Sequence, residues 1–246
     1  SPFCSLTLLA AQTDFSDAGD LRLFIDESQL AMLEAVMAKH GYLPKENMAG
    51  TFVILRANYL LWAKWVKEYL LGERQHANDL LSWNQDATRM PARMHSEYLR
   101  QCYLNNALAG GQIMVDDKPI ALADIQVPLF VVGTAKDHVA PWQSVYKVNL
   151  LIDKDITFLL TNGGHNAGII SEPGHPHRVY QVATKKEDGP YLPPEAWLKD
   201  VPMHEGSWWP VWQQWLADNS TEDVTARKIN SADGLPEAPG QYVLQE

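Results

Sequence analysis

Two short, dense apolar runs constrain this chain more than any other feature. They are Val127-Pro128-Leu129-Phe130-Val131-Val132-Gly133 and Ile156-Thr157-Phe158-Leu159-Leu160. Each is strand-length and apolar on both alternating faces, so it must be covered from both sides, as in a parallel sheet between helices. Pro141 suits the first position of a helix reaching about Ile152. Strand, helix, strand and then the loop Gly163-Gly164-His165 imply an α/β fold. Leu6-Thr7-Leu8-Leu9-Ala10, within residues 5–10, reads as another buried strand.

The region between these strands is different. Residues 20–108 carry helical spacing and no convincing strand. Ser28 is the expected N-cap of a helix with Leu30, Leu33, Glu34 and Met37 in register, stopped by Gly41 and Pro44. A second helix is expected from about Asn58 to Leu71, ended by Gly72, and a third after Pro91. Ile113-Met114-Val115 and Lys118-Pro119-Ile120 flank Asp116-Asp117 as a small hairpin. Residues 171–194, broken by Pro and Gly, read as loop, and 207–217 as a Trp-rich helix.

Nine tryptophans are many for a chain of 246 residues. Trp62 with Trp65, and Trp208 with Trp209, Trp212 and Trp215, imply broad apolar contacts. Core packing is the first reading for both groups, and a greasy subunit or polymer surface the second. The net charge of −10 argues against non-specific nucleic-acid binding. Two cysteines, Cys4 and Cys102, build neither a disulfide framework nor a zinc pattern, which points to a reducing, cytoplasmic setting. No apolar run reaches membrane-spanning length, so no membrane span is expected. The opening Ser1-Pro2-Phe3-Cys4-Ser5 has no Met and runs straight into a strand, so a fragment of a longer protein is expected.

Two positions carry the chemistry. Asp137, in Gly133-Thr134-Ala135-Lys136-Asp137-His138, lies just beyond the C-terminal end of a strand, where open α/β sheets build their sites. His165, in Asn162-Gly163-Gly164-His165-Asn166, follows two glycines that let the chain bend and leave the imidazole exposed, in reach of general-base work near neutral pH. Adjacent parallel strands would bring these loops together. Asp then His is also the order of the α/β-hydrolase triad, whose nucleophile comes earlier on a glycine-flanked elbow. No such elbow occurs here. Cys4 and Cys102 read as structural thiols, leaving no nucleophile in this chain. The pair His175 and His177 lacks further ligands, so no metal is expected, and no cofactor is implied. His40, His76, His95 and His204 are isolated and read as solvated or packed.

Several segments together resemble the C-terminal region of class I poly(3-hydroxyalkanoate) synthases. These are Leu6–Leu9 with Asp14-Phe15-Ser16-Asp17-Ala18-Gly19, Asn58-Tyr59-Leu60-Leu61-Trp62 and Asp79-Leu80-Leu81-Ser82-Trp83-Asn84-Gln85-Asp86-Ala87-Thr88. Tyr98 to Asn106, Asp137 to Trp142, Gly164 to Gly168, Gly206-Ser207-Trp208-Trp209-Pro210 and Ala238 to Val243 complete the set. The resemblance implies the C-terminal part of an α/β-hydrolase fold with an inserted, mainly helical cap. Residues 1–19 would begin the core fragment, 20–110 form the cap, 111–217 complete the core and 218–246 form a tail.

It further implies an acyltransferase that polymerises (R)-3-hydroxyacyl-CoA onto a growing polyester and releases CoA. The nucleophile would be an upstream cysteine, His165 its base, and Asp137 an assistant to the incoming 3-hydroxyl. A cytoplasmic protein at the polymer granule surface, homodimeric through the cap, is the implied setting. This chain alone would be inert. Two alternatives stand beside it: an esterase or depolymerase with a serine elbow, and a non-catalytic granule-associated protein.

Overall fold

A computed structural model describes residues 2–44, 62–73, 83, 89–221, 224–226, 234 and 236–241. Strand β1 is Leu6–Leu9, and helix α1 is Glu27–Met37. Helix α2 is Ala92–Tyr98, which continues as wider turns through Leu99–Leu104. The hairpin is β2, Ile113–Val115, with β3, Lys118–Ile120. Next come β4, Leu129–Thr134, and two short helices, α3, Trp142–Tyr146, and α4, Val148–Leu151. Strand β5, Ile156–Thr161, leads to α5, His165–Ile169. Then follow β6, Val179–Lys185, α6, Pro194–Asp200, β7, Met203–Glu205, and α7, Trp209–Asp218.

The main sheet has the order β1-β4-β5-β6-β7. Strands β1, β4 and β5 are parallel, with Leu6 opposite Leu129 and Leu129 opposite Ile156. Every residue of β4 and β5 is buried, as their unbroken apolar runs require. Alternation sends Leu129, Val131, Ile156, Phe158 and Leu160 to one face, where Trp142, Tyr146 and Trp197 cover them. Phe130, Val132 and Leu159 go to the other, under Trp208 and its helix. The result is an α/β fold with three layers, helix on sheet on helix.

Strands β6 and β7 join antiparallel, so the sheet is parallel at the site and mixed at its far edge. This corrects the reading of 171–194 as loop. Val179-Tyr180-Gln181-Val182-Ala183-Thr184-Lys185 is half-buried and β-branched, but the Pro and Gly on both sides disguise it. Other differences are local. Asp26, not Ser28, caps α1, its extended backbone letting the carboxylate accept from the Gln29 N–H at 2.8 Å. Pro141 is the N-cap of α3 rather than its first residue, and the expected single helix divides at Lys147. Cys4 is exposed ahead of β1 rather than packed, while Cys102 is buried.

The described parts of residues 20–108 are helices joined by turns and loops, with a bridge between Tyr42 and Pro91. Arg100 on the turns after α2 pairs with Glu27 at 2.7 Å and Glu34 at 3.2 Å on α1. Phe15, Ala18, Cys102 and Tyr103 form a small second core joining this region to the loop after β1. Residues 62–70 are helical, while the expected helix start at 58–61, the segment Asn84–Thr88, His76 and most of the tail lie outside the described residues. Among the described residues no helix is long and apolar enough to cross a membrane.

Candidate active site

The site is built from the loops that leave the C-terminal ends of β4 and β5. Thr134 and Thr161, the last residues of these strands, are partners in the parallel register. The loops stay zipped beyond the strands, with Ala135 N–H donating to Thr161 O at 2.9 Å and Lys136 N–H to Gly163 O at 2.8 Å. Asp137 and His165 therefore emerge at one rim of the sheet, 28 residues apart in sequence but touching: His165 Nδ1 lies 2.8 Å from Asp137 Oδ2.

Asp137 is fully enclosed, its side chain 0% exposed. Oδ2 also accepts from the Thr134 hydroxyl at 2.9 Å, and Oδ1 accepts the backbone N–H of Val139 at 2.9 Å and of Ala140 at 2.8 Å. Burial pushes this carboxyl upward. The His165 hydrogen bond, the Ala140 N–H, the His165 charge and the Thr134 hydroxyl together outweigh it and hold the group below its ordinary range. Asp137 is thus a carboxylate with no donating hydrogen, so Nδ1 of His165 carries the proton between them. In the neutral imidazole Nε2 then keeps its lone pair, on a side chain 38% exposed. An imidazole so fixed can take a proton from a reacting group and return it.

His165 opens α5 rather than sitting in a loop, and two glycines make that placement sterically feasible. Gly163 has φ +107, and a Cβ there would lie 3.0 Å from the backbone of Gly168. A Cβ on Gly168 would come within 2.5 Å of Thr134 Cγ2. Helix α5 therefore rests directly on the threonine whose hydroxyl serves Asp137. The sequence points to Gly163 and Gly164 for the turn before His165; Gly168 and Thr134 carry no comparable signal.

A second network reaches the same rim from the loop after β1. Gln12 Nε2 donates to Val139 O at 2.8 Å, and the Ser144 hydroxyl lies 2.8 Å from Asp14 O and 3.1 Å from Gln12 Oε1. Lys147 pairs with Asp17 at 2.5 Å and Asp14 at 3.7 Å. Asp14 sits below its ordinary range because two hydrogen bonds from Ser16, Lys147 and Asn106 outweigh the upward push of burial. Gly19, at φ +70, lies so close that a Cβ would meet His138 O at 2.9 Å. The loop holding Asp137 is thereby clasped from outside as well as from β5.

Other candidates fall elsewhere. His175 accepts at Nε2 from Arg178 at 3.3 Å and contacts Pro176 O through Nδ1 at 2.9 Å. Among the described residues no group of three or more His, Cys, Asp or Glu is placed to hold a metal. His95 is buried, and desolvation pushes its imidazole pKa down. His204 stacks on Tyr180.

No protein-family model matches the chain. Curated proteins do. The chain is 43% identical over 243 residues to a poly(3-hydroxyalkanoate) polymerase of Methylorubrum extorquens, an alignment covering 97% of this chain and 39% of that protein. It is 41% identical over 242 residues to the poly(3-hydroxyalkanoate) polymerase subunit PhaC of Rhizobium etli, covering 97% and 37%. Against the subunit PhaC of Cupriavidus necator it is 36% identical over 251 residues, covering 98% and 42%. The chain thus spans about two-fifths of the length of the relatives it matches.

Proposed function

From the premise that this chain is homologous, along nearly its whole length, to poly(3-hydroxyalkanoate) polymerases, we propose that it supplies the acid–base half of such an acyltransferase. The observation that carries the reading is the Asp137–His165 contact at 2.8 Å on the rim of the parallel strands. The nucleophile is a cysteine elsewhere in the longer protein, on the elbow that precedes the Asp and His in this fold.

The chemistry then runs through one nitrogen. His165 Nε2 takes the proton of the cysteine thiol, and the thiolate attacks the thioester carbonyl of (R)-3-hydroxyacyl-CoA. The C–S bond to CoA breaks, and the CoA thiolate leaves with the proton from His165. For chain extension Nε2 removes the proton of a 3-hydroxyl as that oxygen attacks the enzyme thioester. The ester forms, and the proton returns to the cysteine sulfur. Asp137 stabilises the imidazolium in both steps. Its two oxygens are already engaged and its side chain is enclosed, which favours action through His165 over direct contact with the incoming hydroxyl.

Residues 20–110 act in this reading as the cap that keeps water from the enzyme thioester. Trp62, Trp65, Tyr69, Leu70 and Leu71 there are exposed, which supports contact of the cap with a second copy or with the polyester of a cytoplasmic granule.

The test is His165→Gln in the intact protein, assayed for CoA release from (R)-3-hydroxybutyryl-CoA. Loss of release with the protein still folded supports the reading. Unchanged release would move the chain to a non-catalytic role, and formation of free hydroxy acid in place of polymer would mark a hydrolase.

A further inference from the structure

Gly206-Ser207-Trp208-Trp209-Pro210 is among the most distinctive blocks of the sequence, yet none of it takes part in proton transfer. Its position is informative. Helix α5, which begins with His165, is five residues long, too short to sustain itself. The carbonyls at its C-terminal end have no partner within the helix and must find one elsewhere or be hydrated.

They find side chains, one after another. Arg178 donates to Ala167 O at 2.7 Å and to Ile170 O at 3.0 Å. Trp208 Nε1 donates to Gly168 O at 3.1 Å, and Trp209 Nε1 to Ile169 O at 2.9 Å. The Ser207 hydroxyl donates to Ser171 O. Five consecutive carbonyls, 167 to 171, are thus held by side chains from two segments. The two segments are joined in turn, with Gly206 N–H donating to Arg178 O at 2.7 Å. His175 Nε2 lies 3.3 Å from the same guanidinium nitrogen. A buried indole takes whatever acceptor is near, so one such bond would mean little. An unbroken series on the helix that presents the imidazole is a different matter, because the direction of α5 sets where Nε2 points.

We propose that Arg178, Trp208 and Trp209 form a clamp that positions His165 against Asp137. They are positioning residues: they touch the backbone of α5, not the reacting atoms. The proposal rests on the polymerase reading only for its effect on rate; its effect on α5 stands apart.

The experiment uses the intact protein with Arg178→Met, Arg178→Lys, Trp209→Phe and Trp212→Phe. Trp212 is the control, since its indole N–H goes to Thr7 Oγ1 at 3.1 Å and not to α5. Two readouts are taken: kcat and KM for CoA release from (R)-3-hydroxybutyryl-CoA, and mass-spectrometric hydrogen exchange of the peptide spanning 163–172. Arg178→Met removes two charge-assisted bonds, so kcat falls about 10- to 100-fold with KM within about twofold, and exchange in 165–170 speeds by a similar factor. Trp209→Phe gives a smaller change in the same direction, and Arg178→Lys recovers part of both losses. Trp212→Phe leaves both readouts within about twofold of wild type. Exchange unchanged in Arg178→Met, or accelerated equally across the whole sheet, overturns the clamp. If wild type releases no CoA, the polymerase reading falls while the exchange readout still decides the clamp.

Discussion

The two tryptophan groups of this chain look alike in sequence and end in opposite surroundings. Trp208 is 1% exposed, lies stacked near Phe130, and is joined by Trp209, Trp212 and Trp215 in covering the sheet. Trp208, Trp209 and Trp212 each use the indole N–H as a tether. Trp62 is 61% exposed, and Trp65 has Tyr69 stacked beside it, itself 76% exposed. Spacing on an apolar stripe cannot tell these outcomes apart. What separates them is whether the fold brings an apolar face and free acceptors opposite the helix. The first group is part of the scaffold beneath the site; the second is a surface.

The largest expected effect lies where that scaffold meets the chemistry. Asp137→Asn in the intact protein lowers the rate of CoA release about 10³- to 10⁴-fold, since a neutral amide neither fixes the Nδ1–H tautomer as firmly nor balances the imidazolium. A loss below tenfold would mean that the rim pair is structural. Trp208→Ala costs about 3–5 kcal/mol in denaturant unfolding, as a fully buried indole is lost. The matching change in the other group, Trp65→Ser, stays within about 0.5 kcal/mol and is the smallest effect expected. If the two costs were equal, the contrast between scaffold and surface would be wrong.

Between them falls Gly168→Ala, at about 1–3 kcal/mol, because the new methyl must displace Thr134 or lift α5. The same variant should weaken Asp137's hydrogen bonding, which a loss of activity larger than the loss of stability would reveal. The acid limb sharpens the picture. The Asp137 carboxyl is held below its ordinary value of 3.8 in the folded protein. Its stabilisation is complete above that value and disappears as pH falls through the lower folded value. The stability gap between wild type and Asp137→Asn therefore narrows on acidification below pH 4, read from unfolding midpoints across that range.

The sequence is legible where a single physical demand decides the structure. Strands β4 and β5 had to be buried on both faces, and the rest of the α/β arrangement, including the meeting of Asp137 with His165, follows from their adjacency. Strand β6 is hidden because it is only partly buried, which admits polar residues, and its flanks are rich in turn formers. Arg178 is silent for another reason: its partners are the backbone carbonyls of Ala167 and Ile170, 11 and 8 residues back, and nothing in its neighbours signals a guanidinium aimed at a helix end. Gly168 was similarly silent, since only the closeness of Thr134 makes a missing side chain matter. The Trp208–Trp209 pair is visible in the sequence as part of an apolar Trp group, but its task depends on where α5 lies.

The most direct test of the Asp137–His165 arrangement is the protonation of the imidazole in the intact protein, read by NMR with ¹⁵N-labelled histidine near neutral pH. The arrangement predicts that His165 carries its proton on Nδ1, with a strongly hydrogen-bonded signal that is lost in Asp137→Ala. A neutral His165 protonated on Nε2, with a signal indifferent to Asp137→Ala, would contradict it.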